Sequence, residues 1–138
     1  MGLTLADVLA RYPGAQSFAF GDSAALNTEI LALVRAGRKT VTCDALAAFE
    51  ARGETLPQPG RIDIANDWSG TPVLALRTVT VQHMPFDEMT AELVSDQGEF
   101  RDLAEWRRGY EAYLTRSGLF AQDVLMLVER FEVVEVFA

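Results

Sequence analysis

Apolar positions recur at two spacings along the chain, and the switches between them mark its elements. Leu5, Val8 and Leu9 follow Thr4 at helical spacing and stop before Pro13, which predicts a short helix capped by the threonine. Ser17-Phe18-Ala19-Phe20 alternates and ends at Gly21, the pattern of a short strand. Asp22 or Ser23 then caps a second helix whose Leu26, Ile30, Leu33 and Val34 return every three or four residues, and Gly37 supplies the left-handed residue that ends it. Thr40 to Cys43 is β-branched and strand-like, and Ala45-Leu46-Ala47-Ala48-Phe49-Glu50 favours a short helix before a loop from Gly53 to Gly60.

In the second half, Arg61 to Ile64 and Pro72 to Val81 read as strands joined by a turn at Asn66-Asp67-Trp68-Ser69-Gly70. Phe86 to Leu93 suits a short helix, and Asp102 with Glu105 forms a D-x-x-E capping box at the head of a longer one. Leu103, Trp106, Tyr110, Tyr113 and Leu114 make that helix's buried stripe, leaving Arg107, Arg108 and Glu111 outside. Val124 to Val128 and Phe131 to Phe137 give one long or two short final strands. Strands paired by short turns, with helices near the start and before the end, indicate an α+β fold: a small mixed or antiparallel β-barrel of about six strands with flanking helices.

Composition narrows the class. A chain of 138 residues, 49% apolar, is the size of one domain with a real core, so residues 1–138 are expected to form a single domain. No segment approaches a membrane span and the N-terminus lacks the basic and apolar run of a signal peptide, so a soluble, cytoplasmic protein without membrane partners is expected. One cysteine, Cys43, and one histidine, His83, can make neither a disulfide nor the usual zinc cage, and no cofactor or metal is implied. A net charge of −8 is a poor surface for a long polyanion and favours a small ligand or a local basic patch.

One basic residue departs from the rest. Lys39, in Gly37-Arg38-Lys39-Thr40-Val41-Thr42, is the only lysine among 12 basic residues. A lysine amine can lose its proton when desolvated and then act as a base, which an arginine cannot. It stands just past a helix end, where a cation also favours the macrodipole. On a regular strand Lys39 and Thr42 would point to opposite faces, so only a turn or bulge would bring amine and hydroxyl together.

The order and spacing of several short strings resemble a known family. Phe20-Gly21-Asp22 before the long helix, the Gly37 to Thr42 string after it, Gly98-Glu99 ahead of Leu103-Ala104-Glu105-Trp106-Arg107, and the Glu129-Arg130-Phe131 ending are similar to the landmarks of the ASCH domain, a branch of the PUA-like superfamily of small β-barrels linked to RNA. Members differ in activity. In the version that hydrolyses the acetyl amide of N4-acetylcytidine, the resemblance implies a Lys, a Thr three residues on and a Glu before the late helix, which fall on Lys39, Thr42 and Glu99. Thr42 would be the nucleophile, Lys39 its base and Glu99 the positioning carboxylate. Burial of Lys39 would favour the neutral amine this needs, and a neighbouring Glu99 carboxylate would oppose it. A non-catalytic RNA-binding module and a ribonuclease are the alternatives. Gln97 stands where many relatives have an acid, and Tyr110 where many have a histidine.

Around these, Arg38, Thr40, Asp67, Trp68, Arg107 and Tyr110 are candidates for holding a nucleoside or RNA, by phosphate contact, hydrogen bonding or stacking. Each also has a plain structural reading: solvated arginines at helix ends, a hairpin turn with an aromatic anchor, one more ring in a buried stripe. His83 is expected at the surface and Cys43 in the core. Asp63 and Asp67 read as a polar hairpin edge.

Overall fold

The computed structural model describes residues 2–138; Met1, the first residue of the N-terminal stretch read above, lies outside the described residues. Four of its helices begin at a side chain that accepts a hydrogen bond from the first turn: Thr4 for α1 (Leu5–Arg11), Ser23 for α2 (Ala24–Arg35), Thr90 for α4 (Ala91–Gln97) and Asp102 for α5 (Leu103–Arg116). The short α3 (Leu46–Arg52) follows directly on a strand and has no such cap. At α5 the predicted box is shifted, because the Glu105 carboxylate reaches the backbone N–H and guanidinium of Arg101 rather than the N-cap amide.

Five strands form one curled half-barrel sheet in the order β1-β3-β4-β5-β2: β1 (Gln16–Ala19), β2 (Val41–Ala45), β3 (Ile62–Asn66), β4 (Pro72–Pro85) and β5 (Leu125–Val136). β1 runs parallel to β3 and the other pairs are antiparallel, so the sheet is mixed. The ending is one long strand, paired with β4 along its whole length and with β2 over its first half, Met126 to Arg130. Fewer strands than expected leave β1 and β2 as free edges, and the second of these carries the site.

The expected helix over Phe86 to Leu93 is two elements, a 3-10 turn at Phe86–Glu88 and then α4. Met89 and Thr90 between them are extended, which drives Met89 into the core and frees Thr90 to cap α4. β4 also continues past Val81 to Pro85, so His83 is an exposed strand residue rather than a strand terminus.

Helices cover both faces. α5, α3 and α4 bury Trp106, Leu114, Ala48 and Val94 against Val41, Cys43, Ala45, Met126 and Val128. On the opposite face at the other end, α2 packs Ile30, Leu31 and Val34 on Ala65, Leu74, Leu76 and Phe131. Among the described residues no helix is long and apolar enough to cross a membrane.

Candidate functional site

α2 ends in a Schellman arrangement that aims the following residues. Gly37 adopts φ +75, its N–H donates to the Val34 carbonyl at 3.1 Å, and Arg38 N–H donates to the Leu33 carbonyl at 2.9 Å. Arg38 is left exposed and Lys39 is turned inward, where it is only 2% exposed. Its Nζ donates to the Val41 carbonyl at 2.8 Å, to Glu99 Oε2 at 2.6 Å and, more weakly, to the Gln97 carbonyl at 3.4 Å. Three acceptors, one of them charged, are what an ammonium needs to be held out of water.

Two of those acceptors, Gln97 and Glu99, come from the end of α4 and the turn just beyond it, which is clamped onto the Arg38–Thr40 segment. Thr40 N–H donates to the Asp96 carbonyl at 2.8 Å, and Arg130 donates both to Asp96 Oδ2 at 2.8 Å and to Thr40 Oγ1 at 3.3 Å. Thr40 therefore spends its hydroxyl on the clamp. Gln97 is fully buried: its Oε1 accepts from the Trp106 indole at 3.0 Å and lies 3.5 Å from Cys43 Sγ. A neutral amide oxygen suits that interior where a carboxylate would bury a second charge beside Glu99. Burial pushes the Cys43 thiol up to about 12, so this cysteine is core rather than nucleophile.

Thr42 lies on the other face of the same strand. Val41, Cys43 and Ala45 are buried under the helices, and Thr42 and Asp44 alternate with them and are half-buried. The Thr40 carbonyl accepts from Phe131 N–H of β5 at 3.0 Å, so by alternation the Val41 and Cys43 carbonyls point out of the sheet's free edge. Lys39 takes the first of these and the Tyr110 hydroxyl takes the second at 3.1 Å. Lys39 thus reaches the edge of β2 beside Thr42, and Thr42 is not among its hydrogen-bond partners.

Directly across from Thr42 in the β2–β5 register is Glu129, on the same face. Thr78 Oγ1 donates to Glu129 Oε2 at 2.7 Å, and Arg61 closes on Asp63 through two N–H groups at 2.8 and 3.0 Å. Asp63 is 7% exposed, a buried ion-pair member rather than the polar hairpin edge expected. Burial holds both carboxyls above the usual carboxylate range, and the Asp63 charge adds to the effect at Glu129. Sequence reasoning did not connect this group. The available signal was the acids and threonine at inward positions of predicted strands.

These shifts fix a sign. A carboxyl whose pKa is raised by folding stabilises the protein fully below the unfolded carboxylate range, and that contribution is lost as pH rises through the folded value. Glu129→Gln removes the titration, so its melting temperature relative to wild type is expected to rise as pH climbs from about 4, through and above the ordinary carboxylate range. A difference that stays flat over that interval would show that Glu129 ionises as freely folded as unfolded.

The remaining predicted ligand contacts are dispersed. Asp67 Oδ1 accepts from Ser69 N–H, Ser69 Oγ and Thr71 N–H, bonds that lower its pKa and build the β3–β4 turn. Trp68 at that turn is 50% exposed, so it anchors nothing there. Arg107 is exposed on α5, whereas Tyr110 stacks on Trp106 with centroids 4.9 Å apart. Burial raises the Tyr110 phenol well above its usual value. One surface cleft joins Asp67 to Thr28, Ala32 and Arg35, and another joins Arg38 to Asp96, Gly98 and Arg101; neither is lined by Thr42 or Glu99. Among the described residues no group of three or more His, Cys, Asp or Glu side chains is arranged to hold a metal ion.

A curled mixed half-barrel, with a buried lysine held at its edge strand by the end of a short helix, defines the class as PUA-like α+β. The chain belongs to the ASCH domain family, whose profile matches residues 16–135. Its fold is similar to that of an ASCH domain from Lactobacillus crispatus JV V101, with TM-score 0.77 and 22% identity over 92% of this chain and 84% of that one. Protein EF3133 from Enterococcus faecalis V583 is likewise similar, with TM-score 0.78 and 27% identity over 95% of this chain and 85% of that one. No match was found among curated proteins.

Proposed function

We propose that the protein hydrolyses the amide of a small N-acylated pyrimidine nucleoside, of the N4-acetylcytidine type, with Thr42 as nucleophile, Lys39 as its base and Glu99 as the carboxylate that positions Lys39 and exchanges protons with it. The observation that supports this most is the 2.6 Å contact between Glu99 and the chain's only lysine, beside a half-buried Thr42. A lysine amine can serve as a base where an arginine cannot, and Glu99 stands 2.6 Å from Nζ, within reach to take its proton.

In this reading Glu99 takes a proton from the ammonium, and the amine takes the Thr42 proton as Oγ1 attacks the acyl carbon. Nζ must then exchange the Val41 carbonyl for the Thr42 hydroxyl, a move along the free edge of β2. Catalytic hydrogen bonds often form only when substrate is bound. Net charge −8 suits a small nucleoside better than a long RNA.

Acetate release from N4-acetylcytidine tests it. Wild type is expected to turn over, and Thr42→Ala and Lys39→Arg to lose about 10²-fold or more, the second because it keeps charge but has no accessible neutral amine. Folded wild type that releases no acetate but binds RNA with steep salt dependence would replace hydrolysis with non-catalytic RNA recognition.

A further inference from the structure

An amide does not break on nucleophilic attack alone, because the departing nitrogen must gain a proton as its bond to the acyl carbon is lost. We propose that Glu129 is the catalytic acid that supplies this proton, standing across Thr42 from Lys39; the inference rests on the hydrolase reading above. Lys39 approaches β2 from its free outer edge, and Glu129 sits on the inner neighbour β5, opposite Thr42 in register. Side chains at opposed positions of an antiparallel pair have Cβ atoms about 5 Å apart, so an acyl group on Thr42 Oγ1 lies within reach of the Glu129 carboxyl.

The two oxygens of Glu129 have different surroundings. Oε2 accepts from Thr78 Oγ1 at 2.7 Å, which fixes the carboxyl, while Oε1 has no hydrogen-bond partner among the described residues and is not sealed from solvent. Asp63, the other acid nearby, is paired with the Arg61 guanidinium and lies on β3, separated from Thr42 on β2 by β4 and β5. Burial, with the Asp63 charge, raises the Glu129 carboxyl above its ordinary value, although the Thr78 hydrogen bond and the Arg61 charge oppose the shift.

The steps balance. In acylation the Thr42 proton passes to the Lys39 amine, Oγ1 bonds to the acyl carbon, the C–N bond breaks and the Glu129 proton goes to the leaving nitrogen. Lys39 is then an ammonium and Glu129 a carboxylate. In deacylation Glu129 takes a proton from water, the hydroxide adds to the acyl carbon, the Oγ1–carbon bond breaks and the Lys39 ammonium returns its proton to Thr42. Amine and carboxylic acid leave, and both groups regain their starting forms.

Leaving-group dependence separates this from a structural role. Glu129→Gln keeps shape and an oxygen for Thr78, and its melting curve reports folding. On N4-acetylcytidine its kcat is expected to fall about 10²-fold or more with KM little changed. On p-nitrophenyl acetate, whose leaving group departs without a proton, the burst of p-nitrophenol that reports acylation is expected to keep its rate within about threefold of wild type. Only the later steady state is slowed, because deacylation also uses Glu129, while Thr42→Ala loses both substrates. Unchanged kcat on the amide overturns the proposal and leaves the hydrolase reading standing. An ester burst slowed as much as amide turnover overturns it as well, since a lost acid spares acylation by the ester. So does a wild type active on the amide but inert to the ester, because a threonine that expels an amine should expel a weaker base faster. Wild type inert to N4-acetylcytidine removes the hydrolase reading itself, and this inference with it.

Discussion

Lys39→Met is expected to lower the stability of the protein by about 3 kcal/mol, besides ending acetate release. Breaking one partner of a buried ion pair typically costs about 3–5 kcal/mol, because the other charge is left uncompensated. The Lys39 side chain is 1% exposed and that of Glu99 18%, so the orphaned carboxylate can turn partly to water, which places the expected cost at the low end. The carbonyls of Val41 and Gln97 also lose their shared donor. Urea unfolding measures the change, and Lys39→Met with Glu99→Gln completes a cycle in which the double variant recovers part of the loss. Lys39→Met as stable as wild type would mean that the pair does not hold the end of α4 to the β2 edge.

How far that pair was legible from the chain differs between its two halves. Lys39 stood out by composition, and Gly37 with the helical repeat of Leu26, Ile30 and Val34 placed it just beyond a helix end, where the Schellman bonds now put it. Glu99 came only through the family resemblance, because its approach depends on α4 docking across 60 residues of chain. No local pattern encodes such a contact. The same holds for Glu129 and Thr42, which are paired by the β2–β5 register of an edge strand whose partner is the last strand of the fold. Secondary structure was read well where a cap and a periodicity agreed, as at Thr4, Ser23 and Asp102. It was misread at Phe86 to Leu93, where burial of Met89 divides a stretch whose local preferences are helical. Asp63 was misjudged for a related reason: its carboxylate reads as solvent-seeking until Arg61 folds over it.

The position most sensitive to a single added carbon is Gly98, and Gly98→Ala is expected to cost more than about 2 kcal/mol and to reduce acetate release by about 10²-fold. Gly98 ends α4 at φ +72, a left-handed conformation that costs an L-residue roughly 1–2 kcal/mol. A Cβ there would lie 2.7 Å from the Arg38 carbonyl oxygen, a backbone atom that cannot rotate away like a side-chain tip. To relieve the contact, the end of α4 must draw back from Arg38 and Lys39, taking the Gln97 carbonyl and Glu99 away from Nζ. Gly37→Ala provides the control. Its φ of +75 is nearly the same, yet nothing lies within 4 Å of the added carbon, so it should cost only the conformational strain and leave Lys39 against Glu99. Comparing urea midpoints and acetate release for the two variants separates strain from displacement: equal effects would show that the close approach of Gly98 to Arg38 does not set the Lys39–Glu99 geometry, whereas a larger loss at Gly98 ties the chemistry of the site to the seating of one helix end.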